Sequence, residues 1–78
     1  PPAREMNKAG ADRVEGSILA TVNPDGSISN VRVKDVTPGS LRSPIQRTFA
    51  NALTSGNCKI QSNGDKFEVE IPFLMKLD

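Results

Sequence analysis

Histidine, tyrosine and tryptophan are absent from this sequence, and cysteine occurs once. Without His, the commonest general acid–base group is missing. Nucleophilic catalysis would fall to Cys58 or to a serine with an activating base, and no motif supplies such a base. A single cysteine excludes an intrachain disulfide. Together with the lack of His it also excludes the usual Cys/His zinc site. Asp25, Asp65 and Asp78 lack the spacing of a calcium loop. A carboxylate pair of Asp25 with Glu68 or Glu70 is unneeded, because Asp25 precedes Gly26 in a tight turn whose demand for Asp-Gly accounts for it. The expectation is a protein that is not an enzyme and takes no cofactor or metal.

One-signed charge is also scarce. The net charge is +1, with acids and bases interspersed, so no surface for tracking phosphates is expected and no nucleic-acid partner. Arg32, Lys34, Arg42 and Arg47 are the best basic candidates, and without interleaved aromatics they read as a solvated face. No apolar run is long enough for a membrane span. Phe49, Phe67 and Phe73 are the only aromatics and are expected in the core. A chain of this size forms one domain and buries only about 60% of its unfolded surface, so its core is thin. It begins at Pro1 without a secretory signal, and the expectation is a single domain over residues 1–78, part of a longer membrane-anchored protein. Cys58 is read as a small, partly buried residue at a strand start.

What is present is punctuated periodicity. Ala3 to Ala9 predicts a short helix, with Ala3 and Met6 on one face and Gly10 as the stop. Glu15 to Val36 predicts a hairpin. Ile18, Ala20 and Val22 alternate with Ser17, Leu19 and Thr21, and Asn23-Pro24-Asp25-Gly26 supplies the turn. In the second strand, from Ser27, Val31 and Val33 oppose Asn30, Arg32 and Lys34. Ile28 falls on the polar side, which predicts a bulge near Ser29. Ser43-Pro44-Ile45-Gln46 predicts a helix start with Ser43 as cap and Gln46 completing a capping box. Ile45, Phe49 and Leu53 form its apolar stripe, and Ser55-Gly56-Asn57 ends it. A short strand at Cys58 to Gln61 and a turn at Asn63-Gly64 follow. Lys66 to Leu77 predicts a long strand with Phe67, Val69, Ile71, Phe73, Met75 and Leu77 on one face.

The order helix-strand-strand-helix-strand predicts an α+β fold with two layers: a three-stranded antiparallel sheet with two helices packed on one face. The last strand, wet on one face, fits antiparallel beside the first, giving the order second, first, last. Both helices are expected over Val31, Val33, Phe67, Val69, Ile71 and Phe73. The last strand then lies at an edge, where Pro72 is tolerated. Such an edge is either blunted, here by Glu68, Glu70 and Lys76, or used for strand addition.

These residues resemble the C-terminal domain of TonB-type energy transducers. The likeness rests on "PPARE", on Glu15-Gly16 before an alternating strand, and on the Pro24-Asp25-Gly26 turn. Ile28, Asn30 and Val31 then match a strand of the type V/I-x-N-V. A helix with an apolar stripe follows, and Val69, Ile71, Pro72 and Phe73 fit a final V-x-I-P-F strand. The chain departs from that pattern between Ser55 and Ile60, which lack the family's aromatic-x-Pro signature. The resemblance implies a periplasmic domain, tethered to the inner membrane, that grips an extended segment of an outer-membrane receptor and couples it to the inner-membrane motor complex. The docking edge would be Lys66 to Met75, with Lys66, Glu68, Val69, Glu70, Ile71, Pro72, Phe73 and Leu74 as the contact residues. The alternatives are a TonB- or TolA-like structural domain of an envelope secretion or conjugation apparatus, and a homodimer through the same strand.

Overall fold

A computed structural model describes residues 2–56 and 59–77. Two helices and three strands follow in the expected order. They are α1 (Ala3–Lys8), β1 (Arg13–Val22), β2 (Ile28–Thr37), α2 (Arg42–Leu53) and β3 (Phe67–Lys76), with a 3-10 turn at Gly39–Leu41 leading into α2. The sheet is antiparallel in the order β2-β1-β3, so the fold is α+β with β3 at one edge.

The middle strand carries the core. Val14, Ile18, Ala20 and Val22 of β1 are fully buried, as are Met6 of α1 and Ile45 of α2. Of these, Met6, Val14, Ile18 and Ile45 form the main cluster with Val33, Val36 and Leu41, and Phe49, Ile71 and Phe73 pack against it. The last strand departs from expectation. Phe67 and Val69 lie outside that cluster, and no residue of β3 is fully buried. The cause is placement: α2 packs along β2, which leaves the half of the inner face nearest β3 thinly covered. Ala3 also differs from expectation, being exposed while Met6 alone anchors α1.

Two irregularities set the face of β2. Asn30 and Val31 together oppose Ala20, and Lys34 is an extra residue between the pairs Ser17–Asp35 and Ile18–Val33. The first is the bulge expected near Ser29, one residue further on, with Asn30 in the left-handed region at φ 53°. It returns Ile28 to the buried face. The second, unforeseen, lets Val33 and Val36 both point inward despite their odd spacing. Asn tolerates positive φ and β-branched residues do not. Asn30→Val is therefore expected to cost about 1–2 kcal/mol, read as a lowered urea midpoint. An unchanged midpoint would show that the bulge rearranges freely.

The β1–β2 turn is densely bonded. The Gly26 N–H donates to the Asn23 carbonyl at 2.8 Å, and the Asn23 N–H to the Ser27 carbonyl at 2.8 Å. Asp25 Oδ1 accepts from the Ser27 hydroxyl at 2.6 Å and from its N–H at 2.9 Å, and these bonds lower its pKa, the hydroxyl most. The predicted strand at Cys58 to Gln61 is not formed at residues 59–61, and its start at Cys58 lies outside the described residues. Ile60 instead donates its N–H to the Gly26 carbonyl at 2.9 Å, so this loop docks on the turn rather than on the sheet.

The capping box is also not formed. α2 begins earlier, at Arg42, with no side-chain cap. Gln46 has a different partner: its Oε1 accepts from the Val33 N–H at 3.5 Å, while Arg42 Nη1 donates to the Val33 carbonyl at 2.9 Å.

Candidate edge-strand docking site

The two edges of the sheet differ. Val33 directs both backbone groups away from β1, toward the side chains of Arg42 and Gln46. At that point α2 satisfies the β2 edge. β3 has no such cover: among the described residues no strand lies beyond it.

The same contacts fix which β3 groups face outward. Since Val33 turns away from β1, its partner Ile18 turns its own backbone toward Ile71 of β3. Backbone groups alternate along an antiparallel strand. Phe67, Val69, Ile71, Phe73 and Met75 therefore bond to β1, while Glu68, Glu70, Pro72, Leu74 and Lys76 face the open edge. Leu77 confirms the parity, its N–H donating to the Asp12 carbonyl at 2.8 Å. Pro72 thus sits where its missing N–H costs β1 nothing.

Of the residues expected on the edge, Lys66 precedes β3. Glu68, Glu70 and Leu74 offer free N–H and C=O groups, and Pro72 offers only a carbonyl. Val69, Ile71 and Phe73 contribute side chains to the inner face instead. There, with Met75, they form a half-buried apolar row along the edge. Phe73 stacks at a tilt on Phe49, ring centroids 5.0 Å apart. At one end Phe67 is 37% exposed, and on the outer face Leu74 is 53% exposed.

The outer face is charged and internally balanced. Arg32 Nη2 meets Glu68 Oε2 at 2.6 Å and Lys34 Nζ meets Glu70 Oε1 at 2.8 Å. Both pairs reach from β2 to β3 across β1. Glu70 raises the Lys34 pKa, chiefly through the hydrogen bond. Of the basic residues that read as a solvated face, Arg32 and Lys34 therefore have carboxylate partners, and Glu68 and Glu70, expected to blunt the edge, are drawn back over the sheet. The sequence held the signal: with β1 central, the polar alternations of β2 and β3 share one face. Lys76, left out of the expected docking residues, faces the open edge beside Arg13. Arg13 lies 3.8 Å from Glu15, and Lys76 has no ion partner among the described residues.

Among the described residues no three His, Cys, Asp or Glu side chains gather as a metal set, and no helix is long and apolar enough to cross a membrane. Comparisons with models of protein families, with curated proteins and with solved structures find no match.

Proposed function

We propose that this chain is a non-enzymatic protein-binding domain that takes an extended segment of a partner onto β3 by strand addition. The observation that carries the reading is the uncovered β3 edge, free in its N–H and C=O groups and bordered by a half-buried apolar row. An added strand satisfies the backbone groups and, through its alternate side chains, extends cover over that row. Together with the resemblance, this supports a role as the periplasmic domain of a TonB-type energy transducer. The segment would then belong to an outer-membrane receptor, and the motor complex would be engaged by upstream sequence. That mechanism asks for a folded domain with a usable edge and no reactive groups.

Pro72 favours a second reading. A proline within the open edge is a known way of blunting it, and a structural domain of an envelope secretion or conjugation machine would have use for such an edge. Titrating the labelled domain with extended peptides from outer-membrane receptor plugs separates the two. Saturating amide shifts along β3 are expected for a transducer. Silence at millimolar peptide would sink that role and leave the structural one.

A further inference from the structure

The open edge is not uniform. Pro72, at its centre, has no N–H, and its ring occupies the space where a neighbouring strand's carbonyl would accept one. Continuous pairing along the whole of β3 is therefore interrupted. Glu68 and Glu70 lie on one side of the break, Leu74 and Lys76 on the other.

The two sides differ in what they leave unsatisfied. On the first, both carboxylates are already paired, with Arg32 and Lys34. On the second, Leu74 is the most exposed large apolar side chain described, and the Lys76 ammonium, beside Arg13, has no ion partner among the described residues. Leu74 and Lys76 share the outer face with Arg13 and Glu15 of β1; Glu15 pairs with Arg13 at 3.8 Å, which leaves one net positive charge, carried by Lys76, beside the apolar contact of Leu74.

We propose, on the strand-addition reading above, that Pro72 divides the β3 edge and that the Leu74–Lys76 half is the docking half. Its partner is an extended segment of another protein that sets an apolar side chain against Leu74 and a carboxylate against Lys76. Antiparallel addition gives the better-aligned hydrogen bonds. The segment then reads carboxylate first, apolar residue second, with one inward-facing apolar residue between them lying beside Met75. The contact is short, so binding is weak unless the partner is tethered nearby.

The probe is a capped peptide, Thr-Glu-Val-Leu-Val-Thr, titrated into the labelled full chain. Shifts confined to Phe73 through Leu77 are expected. Lys76→Glu should weaken binding about tenfold, as expected for reversing a charge at ion-pair distance near a surface. A peptide with Lys in place of Glu should recover affinity for that variant, which a merely structural role of Lys76 would not allow. Pro72→Val, which restores a donor, should let a peptide lengthened by four residues at its C-terminus extend the footprint to Glu68 and Glu70. Shifts confined to Phe67 through Ile71 would overturn the assignment of the half-edge while leaving strand addition intact. Shifts at Leu74 and Lys76 on concentrating the protein without peptide would identify a second copy as the occupant and overturn the acidic segment. No shift anywhere on β3 would overturn both.

Discussion

Replacing Gly16 with alanine is expected to remove most of the domain's stability. A Cβ on Gly16 would lie 2.1 Å from the carbonyl oxygen of Asp35, and 2.8 Å from both the Asp35 carbonyl carbon and the Val36 Cα. All three are backbone atoms of β2, held in register with β1, so no side chain can swing aside to make room. The close approach coincides with the extra residue at Lys34, which brings the β2 backbone over β1. Relief requires moving a strand that supplies Val33 and Val36 to the core. A loss on the order of 4 kcal/mol is expected, against a total stability near the lower end of about 5–15 kcal/mol for so small a domain. With no Trp or Tyr in the chain, a urea titration followed by far-UV circular dichroism is the suitable measurement. A midpoint close to that of the parent would mean that β2 shifts without penalty and that the contact is not a constraint.

The second large effect belongs to Ile18. It is fully buried at the middle of the central strand, paired across the sheet with Val33 and Ile71. Truncation to alanine removes its burial and leaves a cavity lined by residues from all three strands. Such changes cost about 2–5 kcal/mol. The neighbouring Leu19→Ala is the internal control. Leu19 faces the outer side, is only partly buried, and should lose under about 1.5 kcal/mol by area. The difference between the two variants measures how one-sided the hydrophobic layer is. Equal losses would show that the outer face, with its cross-strand ion pairs, packs as well as the inner one.

Much of this architecture is legible in the chain. The alternation of Ile18, Ala20 and Val22, the Pro24-Asp25-Gly26 turn and the spacing of Ile45, Phe49 and Leu53 suffice to place the hairpin and α2. Pro72 suffices to put the last strand at an edge, and the half-wet pattern of that strand puts it beside β1. The misplaced features share one cause: they depend on neighbours far away in sequence. Gln46 reads as a local cap, yet its amide serves Val33 on another element. Phe67 and Val69 read as core by period, but period reports which face a side chain takes and not whether a helix lies above it. Lys34 alternates properly with Arg32, which hides the bulge that lets Val33 and Val36 face the same way. On the docking edge, the sequence shows which residues lie on β3 but not which backbone groups are spent on β1. That division needed the contacts of Val33 and Leu77 as a reference.

The pairs Arg32–Glu68 and Lys34–Glu70 join two strands that share no backbone bonds. They act as cross-braces over β1, and each brace is exposed to solvent. At about 0.15 M salt the screening length is about 8 Å, and added electrolyte slackens such braces without touching the apolar side of the sheet. Added salt is therefore expected to loosen the coupling between the outer faces of β2 and β3 before it affects the core. Since β3 carries the free edge, two residues of the opposite border, Arg32 and Lys34, help to hold that edge in place for an incoming strand.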